Sequence, residues 1–472
     1  MRQQVKKPLL VSLLGGVACF AASALAAQPE QVIDFSKPGN QQKITLKQGG
    51  TYRLTGESTQ GQLWIETGEE KITLILDNLT LSNTMGSAIF IASSGDANVI
   101  LANGSQNFLA DHPRQSGSIS GEQNAPLYSK SDLKIEGPAN ATLTVNGRYK
   151  DGIVSKDDLD IRGGTIIVEA ADDALYGKDS VDIRNAAVNI VAGDDGIKAD
   201  NVKRTDKGFV YIENSQVTLH VQDDAIKGAL AVDLLTSNID IEHSKEGIES
   251  NSITIYSGDV SVFSLDDALN IVKGDFSSAR LLDGLSDALS SEKENSRERT
   301  PGTLTVLGGN IHIRSGGDGF DSNGAARMSG GRLFIEGPNS RGDGYIDVDE
   351  GFTLTGGELL AIGNSSMAQT PSDTTQPIIQ VNTEETVAAG TVLTIVEANG
   401  KSVLALTLPK AITSLTFSAP ELALGNTYQI MAGDVMLGEV ALTEMITVIG
   451  ERGRGGRGKG KGRDKNKSWW EW

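Results

Sequence analysis

An acidic residue returns about every 22 positions through the middle of this 472-residue chain, followed each time by a small residue and then an apolar one. Four of the acids are doubled: Asp172-Asp173, Asp194-Asp195, Asp223-Asp224 and Asp266-Asp267. Single acids fill out the series at Asp151, Glu246, Asp318 and Asp343, the last two read before Gly319-Phe320 and Gly344-Tyr345. Asp151 to Asp173, Asp173 to Asp195 and Asp224 to Glu246 are each 22 residues, and Glu246 to Asp267 is 21. A fixed period of this size predicts a stacked coil in which each repeat makes one turn and touches only its neighbours. The acid then recurs at one place on every turn, and carboxylates form a column.

Within a repeat, Ser180-Val181-Asp182-Ile183-Arg184 and Ala187-Val188-Asn189-Ile190-Val191 alternate apolar and polar residues with period two. Corners such as Arg162-Gly163-Gly164, Tyr256-Ser257-Gly258 and Thr355-Gly356-Gly357 suit positive φ. The runs are too short for helices and the period too small for a βαβ unit. The expected fold class is therefore all-β: a parallel β-helix over 70–369, with cap or edge strands over 27–69. Asp195 to Asp224 is 29 residues, read as a turn carrying an insertion at 203–208. Asp267 to Asp318 is 51, read as one turn plus an excursion near 274–301 that folds over the flank as a short helix. Ser87 and Ala125 stand where early turns would carry the acid.

From Thr370 the pattern changes to antiparallel signals, with Asn399-Gly400 as a hairpin turn. Residues 376–448 read as a small β-sandwich. Residues 449–472, rich in Gly, Arg and Lys and ending Trp469-Trp470-Glu471-Trp472, read as a disordered basic tail able to meet an anionic polymer or the acidic body.

The first 26 residues read as a secretory signal: Arg2, Lys6 and Lys7, an apolar run Leu9 to Ala22, and Ala24-Leu25-Ala26 as the cleavage site. Gly16-Val17-Ala18-Cys19 offers a lipoprotein alternative, weakened by Gly16 where Leu is usual. Cys19 is the chain's one cysteine, so the mature chain would carry no disulfide. The expected location is the periplasm, the cell surface or the medium. No later apolar run is long enough to span a bilayer.

Of the net charge of −19, the signal holds +3 and residues 451–472 hold +5, which leaves −27 on 27–450. Such a body repels nucleic acid and attracts cations, or binds an anionic polymer through a bridging cation. Adjacent rungs of a parallel stack lie about 4.8 Å apart. Calcium binds oxygen at about 2.4 Å, so one ion fits between acids on consecutive turns. The candidate ligands for Ca²⁺ are Asp151, Asp172, Asp173, Asp194, Asp195, Asp223, Asp224, Glu246, Asp266 and Asp267. The plain alternative is turn chemistry, each carboxylate bonding nearby backbone N–H groups.

A second column, Val154, Tyr176, Lys198, Lys227, Glu249, Asn270 and Asp321, is expected to face solvent beside the acids. Tyr176, Lys198 and Lys227 are its candidate carbohydrate contacts; the lysines equally suit neutralising the acids. Chemistry is weakly signalled. His112, His220, His243 and His312 share no metal spacing, and the chain has no nucleophile motif, phosphate loop or zinc pattern. A lyase would need a base near a cation, a role for which Lys198 and Lys227 are the candidates.

The segments Asp194-Asp195-Gly196-Ile197-Lys198-Ala199, Asp223-Asp224-Ala225-Ile226-Lys227-Gly228 and Glu246-Gly247-Ile248-Glu249-Ser250 resemble repeats of a known family. So do Gly390-Thr391-Val392-Leu393, Asn399-Gly400-Lys401 and Ala419 to Tyr428, and the likeness covers about 70–440. That family comprises bacterial cell-surface carbohydrate-binding proteins, related in shape to calcium-dependent pectate lyases. The resemblance implies a right-handed parallel β-helix, calcium at the Asp corners and an acidic, pectin-like polysaccharide as ligand, bound without catalysis. A calcium-dependent polysaccharide lyase and a structural adhesin with purely structural calcium are the alternatives. The acid-free early turns, the excursion and the basic tail depart from the family pattern.

Overall fold

Alternation decides where each strand puts its side chains. In Ala187–Ala192, Val188, Ile190 and Ala192 are buried while Asn189 and Val191 point outward. The computed structural model describes residues 29–40, 42–113, 122–204, 206–272 and 302–451. The segment read as a signal, the whole of the 274–301 excursion with its expected helix, and all but the first residues of the basic tail lie outside the described residues.

Among the described residues there are strands and no helices, and hence none long and apolar enough to cross a membrane. Each turn lays a short strand on a 12-stranded parallel ladder and two strands on a larger sheet. Leu175–Gly177, for example, pairs with Ile153–Ser155 on one side and Ile197–Ala199 on the other. Register is kept along the ladder: Ile89, Leu127, Ile153, Leu175, Ile197, Ile226, Ile248, Leu269, Phe320 and Ile346 stand over one another. These side chains point inward, with those of the larger sheet, into one core running from Phe35 to Ile378. The ladders already include Gln31–Asp34, Lys43–Leu46 and Gln62–Glu66, so the stretch expected to be cap or edge strands pairs in parallel with its successors.

One corner of the coil needs a left-handed backbone on turn after turn. Asn185 (φ 55°), Asn214 (φ 47°) and Thr236 (φ 48°) directly follow the first strand of the larger sheet on consecutive turns, and on the next turn the left-handed residue is Gly258 (φ 109°), one position further on, opposite Ser237. Asn and Gly tolerate this region; a β-branched Thr does not adopt it readily.

At the far end, Ile412–Ser418 pairs antiparallel with Glu358–Gly363 and with Ile378–Val387, which ends the parallel stack. Val392–Glu397, Ser402–Thr407, Thr427–Ala432 and Val435–Ala441 form a separate four-stranded antiparallel sheet. The two layers share a second core of Leu360, Ile362, Leu393, Phe417 and Tyr428. Gly400, in the hairpin between the first two strands, has φ 91°.

Candidate metal and carbohydrate site

The acids sit two residues ahead of the inward apolar column, at the entry to the 12-stranded ladder. There the second acid of a pair turns its carboxylate up the stack. Asp195 N–H donates to Asp173 Oδ1 (3.2 Å), Asp224 N–H to Asp195 Oδ1 (3.1 Å) and Asp318 N–H to Asp267 Oδ1 (2.7 Å). Asp151, Asp173, Asp195 and Asp224 are buried; Asp172, Asp194 and Asp223, the first members of their pairs, are more open. Space at the next position is tight. A Cβ on Gly247 would lie 2.3 Å from the Ala268 carbonyl oxygen and 2.5 Å from Val262 Cγ1.

Seven of the ten candidate ligands converge. Asp172, Asp173 and Asp194 form one group, Asp194, Asp195 and Asp223 a second, and Asp224, Glu246 and Glu249 a third, each with carboxylate oxygens mutually within 4.8 Å. Asp151, Asp266 and Asp267 belong to none of these groups. Lysines lie against all three. Lys198 Nζ is 3.0 Å from Asp173 Oδ2 and 2.8 Å from Asp195 Oδ2. Lys227 contacts Asp224 and lies 2.9 Å from Glu249 Oε1. Lys150 meets Asp172 at 3.2 Å and Lys245 meets Asp223 at 3.1 Å. Burial opposes the charge on Lys198, but Asp173 and Asp195 outweigh it and raise the ammonium above its ordinary range. Asp224 and Glu249 do the same for Lys227.

A fourth acidic group lies further along the column: Asp318, Asp321 and Asp347, again with oxygens mutually within 4.8 Å. Among the described residues no Lys or Arg pairs with it. Its contacts are Gly344 N–H, which donates to Asp318 Oδ1 (2.5 Å), and Gln369 Nε2, which donates to Asp347 Oδ1 (2.7 Å). Burial, with the neighbouring acids adding to it, pushes Asp318 up to about 7 and Asp321 up to about 8. Burial raises Asp347 as well. The sequence carried a signal for this group. Asp318 and Asp321 are three apart in Asp-Gly-Phe-Asp, and Asp347 is the residue opposite Asp321 on the next rung. The register there differs by one from the expected motif: Gly344 and Ile346, not Asp343 and Tyr345, continue the columns. Tyr345 is fully buried, and its hydroxyl lies 3.0 Å from both Ser414 Oγ and Thr416 Oγ1. A further group, Asp132, Asp157 and Asp158, occupies the opposite edge of the ladder, where Lys207 Nζ lies 2.9 Å from Asp158.

The second column corrects the expectation of a solvent-facing row. Its outward side chains read Trp64, Phe90, Tyr128, Val154, Tyr176, Lys198, Lys227, Glu249, Asn270, Asp321 and Asp347. Phe90, Tyr128, Val154 and Tyr176 are buried against one another because large side chains on rungs about 4.8 Å apart fill the space between them. Trp64 and Phe90 are 4.4 Å apart between centroids, and Phe90 and Tyr128 are 5.4 Å apart. Tyr176 is 8% exposed, donates to Asp200 Oδ1 (2.9 Å), and carries the Lys156 ammonium 4.5 Å above its ring. The column thus runs from aromatic through cationic to acidic. Of the histidines, His220 stacks on His243 at 4.9 Å, and His312 stacks on Phe334 at 4.9 Å with Nε2 2.7 Å from Glu336.

Comparison with known proteins bears on this arrangement. A family model described as carbohydrate-binding domain-containing protein matches residues 40–279. A relative from Acetivibrio thermocellus with the same description is 36% identical over 211 residues, covering 44% of this chain and 72% of the relative. A solved structure of a polysaccharide lyase-like protein from C. thermocellum, a gadolinium derivative, shares 28% identity. It covers 48% of this chain and 96% of its own, with a TM-score of 0.42. The chain belongs to the carbohydrate-binding domain-containing protein family.

Proposed function

We propose that this chain is an exported, non-catalytic right-handed parallel β-helix that binds an acidic, pectin-like polysaccharide with calcium held at its stacked acidic corner. One observation carries the reading: Asp318, Asp321 and Asp347 bring three carboxylates together with no cationic partner among the described residues. Like charges at this spacing repel, and a protein keeps them together where something compensates them. The donor set is all oxygen, as calcium prefers, and the separation fits one ion between ligands.

Asp318, Asp321 and Asp347 would hold the ion, with Gly344 N–H and Gln369 Nε2 orienting two of the carboxylates. Bound calcium supplies open coordination positions for the carboxylates of a uronate polymer. Lys198 and Lys227 act elsewhere on the column, neutralising the buried acids and fixing the rungs. Family membership supports a carbohydrate as the ligand, and with so negative a body an acidic polymer would need a bridging cation.

Calorimetric titration of Ca²⁺ into the chelated full-length chain, followed by polygalacturonate, tests the reading. Calcium-dependent binding of the polymer without growth of unsaturated-product absorbance is expected. Steady product growth would make the chain a lyase. Calcium binding with no polymer binding would leave the ion a structural role only.

A further inference from the structure

The acid column does not reach the first turns, yet the same edge of the stack opens there into a cleft of ≈ 880 Å³. This lies within the roughly 300–1,000 Å³ of small-ligand sites. Ser87 and Ala125 occupy the acid positions on these turns, so a bridging cation has few carboxylates to hold it. The lining is built of amides and hydroxyls around an indole and one ammonium: Trp64 and Lys43. Lys43 Nζ stands 3.3 Å above the Trp64 ring centroid. Among the described residues no carboxylate lies within ion-pair distance of it, whereas Lys198 and Lys227 on the ladder's outward column are each held by two acids.

The wall behind it is fixed. Gln62 Nε2 donates to the Ser87 carbonyl (2.8 Å) and to Gln123 Oε1 (3.0 Å), and Asn83 Nδ2 donates to the Gly61 carbonyl (3.2 Å). In front of that wall, the exposed Gln42 amide, the Gln60 amide nitrogen and the Thr59 hydroxyl have no partner among the described residues. Amides and hydroxyls left free in front of a fixed wall suit vicinal sugar hydroxyls, and the exposed Glu57 adds an acceptor. An ammonium on an aromatic face, unpaired by acid, suits a carboxylate on the same ligand.

We propose that this N-terminal cleft is a second, metal-independent glycan site that takes a uronate residue, its carboxylate on Lys43 and its hydroxyls on Gln42, Thr59 and Gln60. This rests on the carbohydrate-binding reading above and assigns it a subsite that calcium does not serve.

The test is titration of the full-length chain with tetragalacturonate and with cellotetraose, a neutral chain of equal length, in excess chelator and again with Ca²⁺. In chelator the wild type should bind tetragalacturonate. Lys43→Met should weaken that binding at least about tenfold, the effect of losing a hydrogen bond to a charged group. Gln60→Ala should weaken it less, and both exposed substitutions should leave the melting temperature unchanged. Equal binding by Lys43→Met and wild type in chelator would overturn the proposal. Equal binding of cellotetraose would overturn the uronate assignment. Binding only with Ca²⁺ would overturn this site while leaving the metal-bridged function standing. Absence of glycan binding in every condition would overturn both.

Discussion

Lys198 ties two turns of the coil together: its ammonium lies 2.8 Å from Asp195 on its own turn and 3.0 Å from Asp173 on the turn before. A single cation therefore compensates two buried carboxylates on adjacent rungs, which is the geometry asked of a bound metal ion elsewhere on the column. Lys198→Met should destabilise the calcium-free chain by about 3 kcal/mol, because two acids lose their shared partner. Added Ca²⁺ should recover most of the loss by filling the gap. Melting curves with chelator and with Ca²⁺ decide it; an equal loss in both would show that no cation can replace the ammonium.

Asp318→Asn combined with Asp321→Asn removes the group that has no cationic partner. One calcium fewer per chain is expected by calorimetry. The calcium-free double variant should melt higher than wild type at pH 8, since like-charge repulsion has been relieved. Unchanged calcium stoichiometry would place the ions at the lysine-flanked groups instead.

The pH dependence has a definite sign. Asp151, Asp318 and Asp321 are pushed up to about 7, about 7 and about 8, mainly by burial, from the ordinary 3.8. Across that interval the folded chain holds protons that the unfolded chain has released, so the calcium-free protein loses stability as pH rises from about 4 to about 8. Calcium competes with the same protons at Asp318 and Asp321 and should bind more tightly as pH rises. Asp151 accepts from Asn124 Nδ2 with Oδ2 and lies outside the acidic groups described above. Asp151→Asn should flatten the pH slope of the melting temperature and exceed wild type at pH 8; an unaltered slope would show that Asp151 ionises freely.

Thr236 holds φ 48° at a corner where the preceding turns use Asn185 and Asn214, whose side chains are joined by an Nδ2–Oδ1 hydrogen bond of 2.7 Å. Thr236→Asn would extend that amide ladder and release the cost of a β-branched residue in the left-handed region. A gain of about 1 kcal/mol is expected in denaturant unfolding. A loss would mean that the Thr236 side chain is held by contacts worth more than its strain.

Short-range signals determined much of this protein from sequence alone. Period-two alternation gives the strands, Gly163-Gly164, Gly258 and Gly357 mark left-handed corners, Asn399-Gly400 sets the hairpin, and the spacing from Asp173 to Asp195 places acids and lysines in register. Those features depend on neighbours within one repeat, so the local chain carries them. Tertiary structure alone decided that the strands before residue 70 pair in parallel with the later turns. It also shifted the column from Asp343 to Gly344, buried Tyr176 in an aromatic stripe, and brought Asp347 to Asp318 and Asp321. Each of these depends on register between turns and on which side chains fill the space between rungs. A local pattern fixes neither, because packing settles both only after the turns have stacked.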